Sequence, residues 1–415
     1  MNKIRLTIII MLLTACVAAS YGQVTIGSGI DPNKGALLDI KEFDPNDPKT
    51  DNTTATKGML LPRVNLDKLK PTTDSELAKS IGSSETWNKN AHIGLTVYNV
   101  KEDQCAEIPK GVFTWTGTEW VYLGQSALAP GVFEFTDPRD GEKYLYGNFG
   151  STAGDWMLEN LRYIPQSSDG YPGYSEGVVD IVSPYTDKYY AYPGPYGIYD
   201  PATAQINWAK GWKKTGVLYN WPAALNVGGG PDNTPNPDNT NQADGQPGDN
   251  TDKQFRGVCP QGWHVPSDKE WNELEAYIYQ HAEDFSSYTK EQREAYNQSE
   301  PWQESWSTGA LDTWRPALTT KDGQGKALKS PCKIIEGADE TNGLSLPTKK
   351  SGFGVVFAGY AANNFVSHLG VYAYFWSSSS RATANRITRE INMDEAGVYR
   401  THNSPILYYS VRCKR

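Results

Sequence analysis

The first apolar run, residues 6–13, is broken only by Thr7. It follows Lys3 and Arg5 and precedes the small residues Ala15, Ala18, Ala19 and Ser20. A short positive segment, an apolar core and a small-residue zone form the layout of a secretion signal. The core is shorter than the roughly 20 apolar residues that a bilayer-spanning helix needs. No later run approaches that length, so the pattern predicts an exported chain without a membrane span.

Beyond the signal, short apolar runs at 36–40, 59–64, 93–97 and 112–122 alternate with polar loops such as 44–52. Thr116-Gly117-Thr118 separates Phe113 and Trp115 from Trp120 and Val121, which predicts a β-hairpin with a tight turn. Residues 23–125 therefore read as a small β-rich module, after a signal over 1–22.

Residues 126–415 form a second region with one clear helix signal. Ser267 and Glu270 have the spacing of a capping box, and Trp271, Leu274 and Ile278 follow at helical intervals. A helix is expected from Ser267 to about Asp284, with further helical structure over 281–306. Strands are expected over 353–360, 371–376 and 406–412, with a weaker one over 386–392. Residues 226–252 are rich in Gly, Asn, Asp and Pro without apolar periodicity, and read as a long disordered surface loop.

Two cleavage readings compete at the signal. Leu13-Thr14-Ala15-Cys16 has the form of a lipobox and would place a lipid on Cys16, giving an outer-membrane lipoprotein. Ser20-Tyr21-Gly22 before Gln23 has the form of an ordinary cleavage site, and it is the favoured reading, since no acidic run follows Cys16. The 415-residue chain carries a net charge of -9 with no basic run, which argues against a nucleic-acid partner. Cleavage after Gly22 leaves Cys105, Cys259, Cys332 and Cys413. An even number in an oxidising compartment predicts disulfides, but spacing cannot choose among the three pairings that four cysteines allow.

Four stretches carry a family resemblance. They are Asp140-Gly141 to Tyr144 followed by Trp156-Met157-Leu158-Glu159-Asn160-Leu161-Arg162; residues 216–221; Cys259-Pro260-Gln261-Gly262-Trp263-His264-Val265-Pro266-Ser267-Asp268-Lys269-Glu270-Trp271; and Phe375-Trp376-Ser377-Ser378 with the terminal Ser410-Val411-Arg412-Cys413. In this order the region resembles the Fibrobacter succinogenes major paralogous domain. The resemblance implies an α+β domain of C-type-lectin-like fold with long loops, the fold also used by formylglycine-generating enzymes. It further implies a disulfide between Cys259 and Cys413. Cys105 and Cys332 are then left either to bridge the two regions or to stay apart. Residues 24–27, 36–40, 57–63 and 117–120 resemble an N-terminal module common in exported proteins of Bacteroidetes type.

Candidate chemistry is sparse. The five histidines show no ligand spacing, no GxSxG elbow surrounds Ser377–Ser380, and no pair of carboxylates is singled out. No catalytic, cofactor or metal residue is assigned, and calcium is supported only weakly by the Asp-rich loops. The runs around Tyr171 and Tyr174 and around Tyr189, Tyr190, Tyr192 and Tyr196 are the candidate ligand-binding residues, as exposed rings that could stack on sugars or on a protein. The expectation is a non-enzymatic surface or secreted binding protein, with a glycan or an envelope protein as its ligand. The alternatives are an enzyme acting on polysaccharide or protein, and a structural component of a surface appendage. The oligomeric state is left open.

Overall fold

The computed structural model describes residues 24–415 apart from 34–35, 45–46, 48, 50–52, 125–127, 170, 172, 180–186, 208–212, 227–253, 309–310, 317–320, 335–340 and 383–384. The signal over 1–22, Cys16, and all of the expected 226–252 loop except Asn226 lie outside the described residues. Architecture is mixed α+β. Two compact units are present. The first takes in residues up to Leu66, Lys70–Val100 and Gly111–Val121; the second takes in Asp67–Leu69, Lys101–Lys110 and Tyr122–Arg415.

In the first unit, β1 (Val24–Ile26) and β2 (Leu38–Ile40) pair in parallel as a two-stranded sheet. A second sheet runs in the order β3 (Arg63–Val64), β4 (Thr96–Asn99), β5 (Gly111–Trp115), β6 (Trp120–Tyr122). Gly117 takes φ +99 in the β5–β6 turn, and Thr116 closes that turn by accepting from the Glu119 amide and donating to its carbonyl. Phe113, Trp115 and Trp120 are buried, with Val97 beside them on β4. One short helix, α1 (Asp74–Lys79), has Thr73 as its N-cap.

The second unit opens with an antiparallel meander of β7 (Val132–Thr136), β8 (Lys143–Asn148) and β9 (Asp155–Met157), with helix α2 (Gly150–Ala153) between the last two. Its main sheet uses β10 (Tyr174–Glu176), β11 (Lys188–Ala191), β12 (Gly197–Ile198), β13 (Leu218–Asn220), β14 (Thr313–Arg315), β15 (Tyr360–Ala362), β16 (Phe365–Ser367), β17 (Tyr372–Ala382), β18 (Asn385–Asn392), β19 (Val398–Asn403) and β20 (Tyr408–Ser410). The spatial order is β10-β11-β13-β20-β17-β18-β19-β14, with β15, β16 and β12 branching from β20. Helices α3 (Pro201–Asn207), α4 (Trp221–Ala224), α5 (Asp268–Gln280), α6 (Ala282–Phe285), α7 (Lys290–Ser299), α8 (Glu304–Thr308) and α9 (Gln324–Leu328) complete the unit.

Strand β17 explains the core. Tyr374 and Trp376 belong to one buried cluster, while Ala373 and Phe375 belong to another. Successive side chains point to opposite faces of a strand, so β17 is buried on both sides. Helix α5 lays Trp271, Leu274 and Ile278 into the second cluster. Its capping box is formed: the Glu270 amide donates to Ser267 Oγ, and the Ser267 amide donates to Glu270.

The expected helix over 267–284 is two helices, because the backbone breaks at His281 (φ -132). The break lets Phe285 reach Phe149, with ring centroids 4.8 Å apart. Of the strand expected over 353–360, only Tyr360 joins a named strand; before it, Val355 and Gly359 make single parallel bridges to Lys329 and Ala373. Gly354 and Gly359 take positive φ, and a Cβ on Gly359 would meet the Ser367 carbonyl at 2.1 Å. Cys259 is bonded to Cys413, and Cys105 to Cys332. Cys105 lies within Lys101–Lys110, so both disulfides close inside the second unit. Among the described residues, no helix is long and apolar enough to cross a membrane.

Candidate functional site

The tyrosine-rich segments do not stand out from the surface as a set. Tyr171 and Tyr192 are buried, and Tyr174, Tyr189 and Tyr190 are partly buried. The expectation of exposed rings is corrected for Tyr171 and Tyr192, and the cause is local pairing. Arg139 forms an ion pair with Asp137 at 2.6 Å, lies 3.6 Å from the Tyr163 ring centroid and donates to Tyr171 Oη at 2.8 Å. The same guanidinium lies 5.5 Å from the Tyr171 ring centroid, so Tyr171 stands in a cation–π cluster rather than in water. Tyr174 donates to the Ala223 carbonyl at 2.6 Å, and its hydroxyl is held well above its ordinary pKa, chiefly by burial.

Tyr196 is the exception, at 79% exposure. It precedes β12, where Ile198 is 76% exposed and pairs in register with the exposed Phe365 of β16. The Tyr196 and Phe365 rings stack at 6.3 Å with an interplanar angle of 28°. Asn363 and Asn364 take φ +50 and +64 between β15 and β16, the pair of left-handed residues that a two-residue hairpin turn requires. The Tyr199 amide donates to the Asn364 carbonyl at 2.7 Å and holds the two segments together. The result is a small apolar platform fixed by backbone pairing. Phe365 lay outside the tyrosine runs; the Asn-Asn turn before it was the available signal.

A second constellation is fully buried. Asp268, Asn272 and Glu275 occupy one stripe of α5. Arg389 and Arg400 are cross-strand partners on β18 and β19, and Arg315 comes from β14. Asp268 pairs with Arg389 at 2.8 Å and with Arg400 at 2.5 Å; Glu275 pairs with Arg315 and with Arg389, each at 2.6 Å. Burial raises the Asp268 pKa, but Arg389, Arg400 and Arg315 outweigh it and hold the carboxyl down at about 2. Arg315 is pushed down to about 9, chiefly by burial, against the attraction of Glu275. Three guanidiniums against two carboxylates, all out of solvent, clamp helix to sheet.

The other sequence candidates also resolve into structure. His264 Nε2 meets Glu270 Oε1 at 2.8 Å, and the His264 amide donates to the Lys414 carbonyl. Ser377 Oγ donates to the Ile387 carbonyl, and Ser379 Oγ accepts from the Asp268 amide. A cleft of about 420 Å³ lies in the second unit, floored by Leu145, Leu158 and Val356 and edged by the Cys105–Cys332 bond. At its rim Lys143 pairs with Glu134 at 2.7 Å and Lys350 with Glu102 at 2.6 Å. Among the described residues, no three His, Cys, Asp or Glu side chains gather as metal ligands would.

Residues 152–415 match the family described as the Fibrobacter succinogenes major domain, and residues 25–134 match a phage tail like trimerisation region. No curated protein and no solved structure matches the chain.

Proposed function

Because the chain belongs to the Fibrobacter succinogenes major domain family, a family of surface-exposed paralogues, we propose that it is an exported, non-enzymatic binding protein whose ligand is a glycan or an envelope protein. The observation that carries this reading is the Tyr196–Ile198–Phe365 platform. Flat aromatic faces stack on sugar rings or on apolar protein side chains and lose little conformational entropy in doing so. Two of its members are stacked on each other and the backbone beneath them is paired, so the surface is organised before any ligand arrives. In this reading the protein starts at Gln23 after signal cleavage, and its major domain has a C-type-lectin-like fold.

The test is a screen of the chain from residue 23 against glycans and envelope extracts. Binding is expected, and the double substitution Tyr196→Ala with Phe365→Ala is expected to weaken it at least tenfold without changing the disulfides. Turnover of a polysaccharide or a surface protein by the purified chain would replace this reading with the enzymatic one.

A second reading concerns the first unit. Its match to a trimerisation region, together with the exposure of Leu37, Met59 and Leu60, supports a role in holding copies of the chain together, as in a surface appendage. Three copies would present three platforms, and linked sites bind a multivalent surface far more tightly than one.

A further inference from the structure

We propose that the β1–β2 sheet is half of an interface, and that the apolar face made by Ile26, Leu38 and Ile40 is covered by two further copies of this chain around a threefold axis. The inference rests on the assembly reading of the first unit and names the surface that performs it.

The two strands pair in parallel, with Val24 opposite Leu38, Thr25 opposite Asp39 and Ile26 opposite Ile40. Paired residues of a sheet share a face, so Ile26, Leu38 and Ile40 lie together, while Thr25 and Asp39 lie on the other side. On the polar side, Asp39 and Lys41 are partnered within the unit. Asp39 accepts from the Asn33 amide at 2.9 Å and pairs with the buried Lys41 at 2.9 Å, and Lys41 donates to the Asp31 carbonyl. On the apolar side, Ile26 is 54%, Leu38 52% and Ile40 42% exposed. Parallel strands occur almost only where both faces are covered, and a two-stranded sheet alone is marginal in water.

Two observations and a symmetry argument select copies of the same chain as the occupant. The trimerisation match begins at residue 25, inside β1, and runs through β2. The face carries no charge, since Asp39 and Lys41 are paired away from it, which disfavours an anionic surface or a charged glycan. Around a threefold axis each chain offers the same residues, so an uncharged apolar face meets its own kind and is removed from water.

The experiment is sedimentation velocity on the chain from residue 23. The native sequence is expected at three times the chain mass, and Leu38→Asp with Ile40→Asp at one, a threefold drop. Leu38→Met with Ile40→Val should stay trimeric. Both disulfides closed and an unchanged near-ultraviolet spectrum report an intact second unit. Should the charged variant lose its fold, Ile40→Cys treated with a short bis-maleimide decides: covalently joined pairs of chains are expected, and single chains alone would overturn the interface. A trimer that survives the charged substitutions also overturns it while leaving the assembly reading standing. A monomeric native chain defeats both. A monomer that floats with phosphatidylglycerol vesicles, and stops doing so on Leu38→Asp, assigns the face to lipid instead.

Discussion

At the scale of single residues, the most consequential feature is the pairing of Asp268 and Glu275 with Arg315, Arg389 and Arg400 in the interior. Removing one partner from a buried ion pair strands the other, a loss of about 3–5 kcal/mol. Glu275→Gln should therefore lower the unfolding free energy by about that much, read from urea transitions; a loss under about 1 kcal/mol would show the cluster to be dispensable. Asp268 also sets an acid limit. Its carboxyl ordinarily titrates at 3.8 and is held at about 2 in the fold, so the folded state releases its proton more readily than the unfolded state. That stability is fully present above roughly pH 4 and is lost as pH falls towards 2. The urea midpoint should fall between pH 4.5 and 2.5, with a smaller fall in Asp268→Asn. None of this pairing was legible in the sequence. Arginines on a strand ordinarily point to water, and only the packing of α5 across β18 and β19 encloses Arg389 and Arg400.

At the scale of elements, local sequence chemistry governed where structure begins. The Ser267–Glu270 capping box starts α5, and Thr116-Gly117-Thr118 turns β5 into β6, because both devices act over three or four residues. Where elements end depended on packing: α5 stops at Gln280 because Phe285 must reach Phe149, and no local signal reports that. The Asn363–Asn364 turn is a device of the first kind. At Asn364, φ is +64, so Asn364→Gly should be neutral or stabilising, whereas Asn364→Val should cost about 1–2 kcal/mol. Thermal unfolding measures both, and ligand binding by the neighbouring Tyr196 and Phe365 should weaken alongside stability in the Val variant only.

At the scale of the whole molecule, the two disulfides span 154 and 227 residues. Closing loops of that length restricts the unfolded chain by about 5 kcal/mol in the chain-entropy account, and removing a native bond from a secreted domain costs about 2–5 kcal/mol. Cys259→Ala with Cys413→Ala should cost that much, since it frees the entrance of α5 from the C-terminal strand. A reduced chain with an unchanged urea midpoint would contradict this. The Cys105–Cys332 bond joins a residue within the trimerisation match over 25–134 to one within the major-domain match over 152–415.

The sequence by itself determined the export-type leader pattern, the helix start at Ser267, the β5–β6 hairpin and the family motifs, because each is written in adjacent residues or in a fixed spacing. Tertiary structure alone decided that Tyr171 and Tyr192 are buried while Tyr196 and Phe365 are displayed. It also decided that Cys105 meets Cys332, that three arginines enter the core, and that Ile26, Leu38 and Ile40 remain bare. The physical reason is common to all of these. Burial and pairing depend on what arrives from distant parts of the chain, and a residue's own neighbours in sequence carry no record of that.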